Sequence, residues 1–303
     1  MTKSRPSRIR QHLGCYALLT PTFLLLGVFT LVPVVWAFST SFYEHEIGGE
    51  SRFVGFANYL EFFRDPLFWP SIGHMLFLTA FAVGVVLVFP LLIAKLIFSL
   101  STERARYRYR VIFLAPLAFP GVALIMIWGG VMYGDAGVIN NVLKLLGLGQ
   151  LARGWLADPR TALGAVAFLG FPWANGINIL VYYAGLSSIP ESVEEAAEMD
   201  GATGLRKFFL IEIPMIFSQI KLLVILAVIT GVQGFENVLI LTHGGPGFET
   251  MVPGLWMYYN AFSFQRMGVA CAIGVILFFV IFGATVLHLR YFKSSEELQG
   301  ARA

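Results

Sequence analysis

Long apolar segments alternate with short polar ones along the chain. A helix needs about 20 apolar residues to cross a bilayer, and six segments reach that length: residues 16–41, 72–96, 111–133, 162–186, 217–241 and 268–289. A barrel strand needs only about 10 residues. Because a backbone in lipid must satisfy its hydrogen bonds within its own segment, each segment predicts a helix. The pattern therefore predicts an all-α membrane protein with six transmembrane helices. Kinks are predicted at the prolines within or near these segments, which are Pro33, Pro90, Pro116, Pro120 and Pro172.

Lysine and arginine cluster in alternate loops. Of the 21 Lys and Arg residues, 15 lie before the first predicted span, around the loops after the second and fourth, or after the sixth. Basic loops stay on the cytoplasmic side of a membrane, so both termini and the loop 189–214 are predicted to be cytoplasmic. The chain then divides into a cytoplasmic segment 1–14, a transmembrane domain 15–292 and a cytoplasmic tail 293–303.

Composition supports a polytopic membrane protein that contacts lipid. Hydrophobic residues make up 57% of the chain and charged residues 13%, whereas soluble domains are about half apolar and one quarter charged. The basic N-terminus lies beside a membrane span, so it indicates topology and not a nucleic-acid partner. The two cysteines, Cys15 and Cys271, give neither a disulfide framework nor a metal site.

Motifs for catalysis and nucleotide binding are incomplete. His45 and Glu46 begin like a zinc-protease helix, but Gly49 stands where the second histidine is required. The glycine-rich loop that cradles nucleotide phosphates is missing, so any ATP used must be bound by a partner, and no catalytic residue is predicted here. Glu236 is the one acid deep in a predicted span. A proton-coupled carrier usually needs several such groups, and an ion-coupled secondary carrier stays the alternative function.

The polar stretch "SVEEAAEMDGATGLRKFFLIEIP" begins at position 192, after the fourth predicted span. A proline lies just before this stretch, and glutamates follow in the first turn. Both features favour a helix start. The helix is expected to run to about Met199, where Asp200 and Gly201 permit a turn. A second amphipathic piece then continues to Pro214. The stretch predicts a helix-turn-helix on the cytoplasmic surface.

The spacing of small and acidic residues in this stretch resembles the EAA motif of ABC importer permeases. The matching positions, with Asp-Gly-Ala as in the sugar branch, are Glu195, Ala196, Ala197, Asp200, Gly201 and Ala202. After nine intervening residues (202–210), the match continues as Ile211-x-Ile213-Pro214, with isoleucine at 213 where leucine is usual. In that family the loop is a coupling helix that docks in a groove of a cytoplasmic ATPase. The resemblance implies that Glu195 meets a basic group there.

Two further stretches resemble the maltose-type, carbohydrate-uptake branch of these permeases. "LTHGGP" at 241–246 looks like the branch's LTxGGP signature, expected at the outer face, and is carried by Thr242, Gly244, Gly245 and Pro246. "FQRMGVACAIG" at 264–274 resembles the start of the family's last helix. The tail departs from that of the maltose-G-like partner, so the chain resembles the maltose-F-like subunit without its large external domain.

The resemblance implies a type I ABC importer permease fold in a bacterial or archaeal inner membrane. It implies a non-enzymatic subunit that forms half of the pathway for a sugar or oligosaccharide. The implied partners are a second, maltose-G-like permease, two copies of an ATPase that bind ATP and Mg, and an extracytoplasmic sugar-binding protein.

A sugar path needs polar groups for hydroxyls and aromatic rings for sugar faces. The family's cavity-lining regions correspond here to Trp173, Asn175, Asn178, Tyr182, Gln233, Phe235, Glu236 and Asn237. On a continuous helix Asn175, Asn178 and Tyr182 would share one face. Hydrogen bonding of Asn and Gln between helices is the alternative explanation, and both interpretations stay open.

Overall fold

A computed structural model describes residues 8–45 and 51–291. The predicted tail 293–303, residues 1–7 of the predicted N-terminal segment, and Glu46 and Gly49 lie outside the described residues. The described chain is mostly helical, which confirms the all-α prediction, and falls into two compact units. Of the described residues, one unit comprises 8–45, 51–65 and 257–276, and the other comprises 66–256 and 277–291.

The first unit begins with a long helical segment that contains one π-helical turn. Its helices are α1 (Arg8–Leu26) and α2 (Val32–Thr40), joined by the π turn Gly27–Leu31. A two-stranded antiparallel ribbon follows, with Tyr43 opposite Phe53, made of β1 (Tyr43–Glu44) and β2 (Arg52–Phe53). Helix α3 (Ala57–Arg64) ends this part. Its Asn58 side chain donates to the carbonyls of Ser41 and Tyr43 and so fastens α3 to the ribbon.

The second unit begins with the longest helix, α4 (Phe68–Phe98), which contains Pro90. The next elements are α5 (Glu103–Leu114), a 3-10 turn (Ala115–Ala118), α6 (Gly121–Ile127), a π turn (Trp128–Met132), α7 (Val138–Leu145) and a 3-10 turn (Gly149–Leu151). The segments Glu103–Ala118 and Gly121–Met132 meet at 88°. Pro116 and Pro120 lie at this bend. Proline removes a helical hydrogen bond, which explains why the helix is interrupted here.

The fourth predicted span is not one helix. It consists of α8 (Ala162–Ala167) and α9 (Gly176–Ser187), separated by eight non-helical residues. Gly170 and Trp173 in this break have φ of 81° and 56°, and Pro172 cannot donate within a helix. The predicted span over 162–186 is therefore interrupted around Pro172, where a kink is predicted, since backbone constraints outweigh the apolar length of the segment.

The rest of the chain contains the elements of the polar stretch and the apolar helices that follow it. In order these are α10 (Glu191–Met199), α11 (Gly204–Lys207), a π turn (Phe208–Glu212), α12 (Ile213–Met215), α13 (Phe217–Gln233), α14 (Glu236–Leu241), α15 (Pro253–Tyr258), a π turn (Tyr259–Ser263) and α16 (Met267–Tyr291). The fifth predicted span breaks at Gly234 and Phe235, between α13 and α14.

Three of the predicted spans are single long segments: Cys15–Thr40, Phe68–Phe98 and Met267–Tyr291. Two bent pairs of helices raise the number of possible spans to five within the described residues. Single long segments thus match three of the six predicted spans, and bent or broken segments take the place of the others. The core of the second unit lies between α4, α9 and α13. Helices α4 and α13 pack closely, because a Cβ built on Gly231 would come within 2.7 Å of Thr79 Oγ1.

Candidate coupling loop and transport cavity

Helix α10 forms where the sequence places a proline and then acids. Pro190 is the N-cap, and its carbonyl accepts from the amide of Val193 at 3.0 Å. Glu191 and Glu194 lie in the first turn, where the helix dipole favours negative charge. The helix ends at Met199, and the chain turns and continues as α11. The structure confirms the predicted helix-turn-helix.

The turn after α10 is a Schellman cap, and it uses three of the six motif residues. Gly201 has φ of 72°; its amide donates to the carbonyl of Glu198 at 3.0 Å, and the amide of Ala202 donates to that of Ala197 at 2.8 Å. This is the hydrogen-bond pair of the Schellman motif, with glycine at the left-handed position. Ala197 and Ala202 are 4% and 8% exposed, so the apolar contact typical of the motif is also in place.

The motif residues divide into an inward and an outward set. Ala197 and Ala202 are buried within this subunit, whereas Glu195, Ala196 and Asp200 are exposed. Of the two alanines that follow Glu195, Ala196 is exposed to a partner, whereas the side chain of Ala197 faces its own chain. Two large apolar side chains, Met199 and Leu205, are 88% and 76% exposed beside them. We call Glu195, Ala196, Met199, Asp200 and Leu205 the docking face.

Lys207 joins the two arms of the helix-turn-helix. Its Nζ lies 3.2 Å from Glu194 Oε2 and 3.6 Å from Glu198 Oε1, and its side chain is 13% exposed. Both glutamates lie on α10, and Lys207 ends α11. The pairs therefore brace the loop as one piece.

A second ion pair joins the loop to α4. Lys95 Nζ donates to Glu212 Oε1 at 2.6 Å, and Glu212 is 1% exposed. Sequence reasoning missed this contact. The available signal was an acid placed between two isoleucines just before Pro214, together with a lysine at the end of a predicted span.

A cavity of about 550 Å³ lies in the second unit, among helix breaks. Its lining includes five of the eight residues predicted for the substrate path, Trp173, Asn175, Asn178, Phe235 and Asn237. The break between α8 and α9 positions the first three, and the break between α13 and α14 positions the other two. The structure thus brings together residues that are about 60 positions apart in the sequence.

The remaining three predicted path residues lie elsewhere. Tyr182 is fully buried in the core, and its hydroxyl donates to the carbonyl of Val86 at 3.2 Å. Gln233 and Glu236 are exposed but are not among the residues that line the cavity. Of the predicted shared face, Asn175 and Asn178 line the cavity together, whereas Tyr182 is packed in the core. Asn175 is the N-cap of α9, and its Oδ1 accepts from the amides of Ile177 and Asn178.

The rings of Phe81 and Trp173 give the cavity an aromatic wall. The rings of Phe89, Phe168 and Phe171 pack behind them, and all four phenylalanine ring centroids lie 4.7–5.4 Å from that of Trp173. Asn178 and Asn237 add amide groups. A mostly apolar wall with a few placed polar groups is the usual construction of a small-molecule site.

The LTxGGP-like loop after α14 is closed by its own hydrogen bonds. The hydroxyls of Thr242 and Thr250 lie 2.7 Å apart, and Thr250 Oγ1 donates to the carbonyl of Gly245 at 2.9 Å. Gly244 has φ of 87°, and a Cβ there would come within 2.6 Å of Met251. The peptide bond between Gly245 and Pro246 is cis. These residues specify the shape of the loop.

A helical membrane protein with a braced polar loop and a cavity among helix breaks has the construction of a solute transport subunit. The chain belongs to the family of binding-protein-dependent transport system inner membrane components, whose model matches residues 87–291. The resemblance inferred from the EAA-like motif is thereby confirmed.

Known proteins resemble the chain over nearly its whole length. The sulfoquinovosyl glycerol transport system permease protein of Agrobacterium fabrum is 31% identical over 284 residues, covering 92% of this chain and 90% of that protein. The arabinooligosaccharides transport system permease protein of Bacillus subtilis is 28% identical, covering 91% and 87%. A bacterial alginate ABC transporter, solved in complex with an alginate pentasaccharide-bound periplasmic protein, contains a chain with a TM-score of 0.77 and 23% identity, covering 94% and 97%. The fold is that of an ABC importer permease.

Proposed function

We propose that this permease forms half of the transmembrane pathway for a sugar or oligosaccharide, driven by ATP hydrolysis in a partner. One observation carries the proposal: the helices that line the cavity also hold the helix-turn-helix loop. Relatives named for sulfoquinovosyl glycerol and arabinooligosaccharides support a carbohydrate as the substrate. The aromatic wall and the amides of Asn178 and Asn237 suit the faces and hydroxyls of a sugar.

The loop is joined to the cavity through a continuous core. Phe208 of the loop is packed with Leu91 of α4 and Tyr182 of α9 in one buried cluster, which also includes Leu223 of α13. Each of these three helices also supplies cavity residues. A closely packed core transmits displacement, so a shift of the loop would change the cavity.

The docking face is the proposed contact with a cytoplasmic ATPase. Glu195 and Asp200 supply negative charge for a basic groove, while Met199 and Leu205 supply apolar area that is otherwise exposed. An exposed apolar patch rimmed by polar groups is typical of an interaction site. We place ATP and Mg on this partner, in two copies, with both termini of the permease on the same cytoplasmic side.

The remaining partners complete the importer. A second permease subunit would supply the other half of the pathway, and an extracytoplasmic binding protein would deliver the sugar. The structural relative from the alginate importer was solved with such a periplasmic protein.

Reconstitution tests the proposal. The permease is co-expressed with the second permease, the ATPase and the binding protein, and the complex is placed in liposomes. We expect uptake of the carbohydrate that co-purifies with the binding protein, abolished by vanadate and unaffected by a proton uncoupler. Uptake that stops with the uncoupler and continues with vanadate would contradict the proposal and favour a secondary carrier.

A further inference from the structure

Lys95 and Glu212 form an ion pair between segments 117 residues apart in the sequence. The Nζ to Oε1 distance is 2.6 Å, and the side chains are 26% and 2% exposed. Lys95 lies in the last turn of α4, and Glu212 ends the π turn in the second arm of the coupling loop. The pair therefore connects the loop to a helix that is not its neighbour in the chain.

Aromatic rings shield the ammonium group from solvent. Lys95 Nζ lies 5.5 Å from the ring centroid of Phe98 and 6.0 Å from that of Phe208. Phe208 belongs to the loop and is 5% exposed. Two opposite charges that are largely withdrawn from water attract each other more strongly than exposed ones. This contact therefore resists separation of the loop from α4.

The pair is not arranged for stability alone. Glu212 Oε2 is buried and has no hydrogen-bond partner among the described residues. Desolvation of a buried pair largely offsets its attraction, and the pair contributes to stability only when the remaining acceptors are satisfied. An unsatisfied buried oxygen in a native structure calls for another explanation.

Helix α4 leads directly from this pair to the cavity. Phe81, Val85 and Pro90 of α4 line the cavity, and Lys95 follows them on the same uninterrupted helix. A helix moves as a rigid element along its axis, so a pull on Lys95 reaches the cavity wall.

We propose that the Lys95–Glu212 pair transmits movement of the coupling loop to α4. The proposal rests on the proposed function and adds α4 to the two helices, α9 and α13, that flank the loop in the sequence. Lys95 and Glu212 are positioning residues, because they act on the cavity through α4.

The test uses the complete transporter in nanodiscs, with its binding protein as purified from the same source. The measurement is the factor by which added binding protein stimulates ATP hydrolysis, per mole of ATPase retained on the permease. The double variant Lys95→Met/Glu212→Met replaces the pair by apolar side chains of similar length, which usually preserves folding. We expect stimulation to fall at least about fivefold, the lower end of typical coupling between sites, while ATPase retention stays unchanged.

Two further variants serve as a graded test of the pair and as a control. Glu212→Gln keeps the size of the side chain and removes its charge, and we expect a smaller loss of stimulation in a fully assembled complex. Glu103→Gln breaks the pair of Glu103 and Arg110, 2.5 Å apart within α5, and is the control that should match wild type.

Three outcomes would overturn the inference. One is wild-type stimulation in both pair variants. Another is reduced ATPase retention with unchanged stimulation per assembled complex, which would show a purely structural pair. If wild-type permease retains no ATPase at all, the proposed function fails first and this inference fails with it.

Discussion

Substitution of Gly201 changes the backbone energy of the coupling loop without changing the side chains of its docking face. Its φ of 72° lies in the left-handed region, and a Cβ built there meets nothing within 4 Å. An alanine at this position therefore causes no clash and changes only the backbone energy. The left-handed conformation costs an L-residue about 1–2 kcal/mol, so Gly201→Ala should weaken the Schellman cap by that amount. Gly201→Asn should cost less, because Asn tolerates this region.

A second Schellman cap in the same unit supplies the control. Gly147 follows α7 with φ of 75° and open space around its Cβ. The amide of Gly147 donates to Lys144 at 3.1 Å, and that of Leu148 donates to Leu143 at 2.8 Å. The backbone penalty of Gly147→Ala should equal that of Gly201→Ala, but α7 lies outside the coupling loop.

The assay compares amide exchange with ATPase retention. Exchange at the Ala202 amide in Gly201→Ala and at the Leu148 amide in Gly147→Ala should both accelerate about 5- to 30-fold, as 1–2 kcal/mol implies. ATPase retention after a mild detergent wash should fall only in Gly201→Ala. Equal retention in the two variants, despite faster exchange at Ala202, would refute the idea that the cap sets the docking face.

Three other substitutions test the docking face, the cavity wall and the core. Glu195→Lys should reduce ATPase retention at least about tenfold, because reversing an interfacial charge costs several kcal/mol; normal retention with normal uptake would contradict it. Trp173→Ala removes a stacking ring worth about 1 kcal/mol, and the half-saturating sugar concentration for uptake should rise severalfold, whereas an unchanged value would remove Trp173 from the path. Tyr182→Phe deletes the bond to Val86, so stability should fall by about 1 kcal/mol with transport per complex unchanged; altered half-saturation at normal stability would return Tyr182 to the path.

Local rules explain what the sequence predicted well. The start, end and turn of α10 depend on Pro190, Gly201 and the residues within one turn of them, so the helix-turn-helix could be predicted without tertiary information. The pair of Lys95 and Glu212 could not, because its partners are 117 residues apart. Tyr182 shows a third case: it lies four positions after Asn178 on the continuous helix α9, but there α9 packs into the core with α4, and the core buries the Tyr182 side chain.

The interruptions of the predicted spans coincide with the cavity. Pro116 and Leu117 at the first bend, Gly170 and Trp173 in the second break, and Gly234 and Phe235 in the third all line it. Irregular backbone at membrane depth is tolerated only where protein buries it or where it borders a cavity. Apolar length predicts where a chain crosses a bilayer, but glycine and proline within that length indicate where the helix is interrupted. In this permease the interruptions border the cavity, and one of them places Asn175 in the cavity lining.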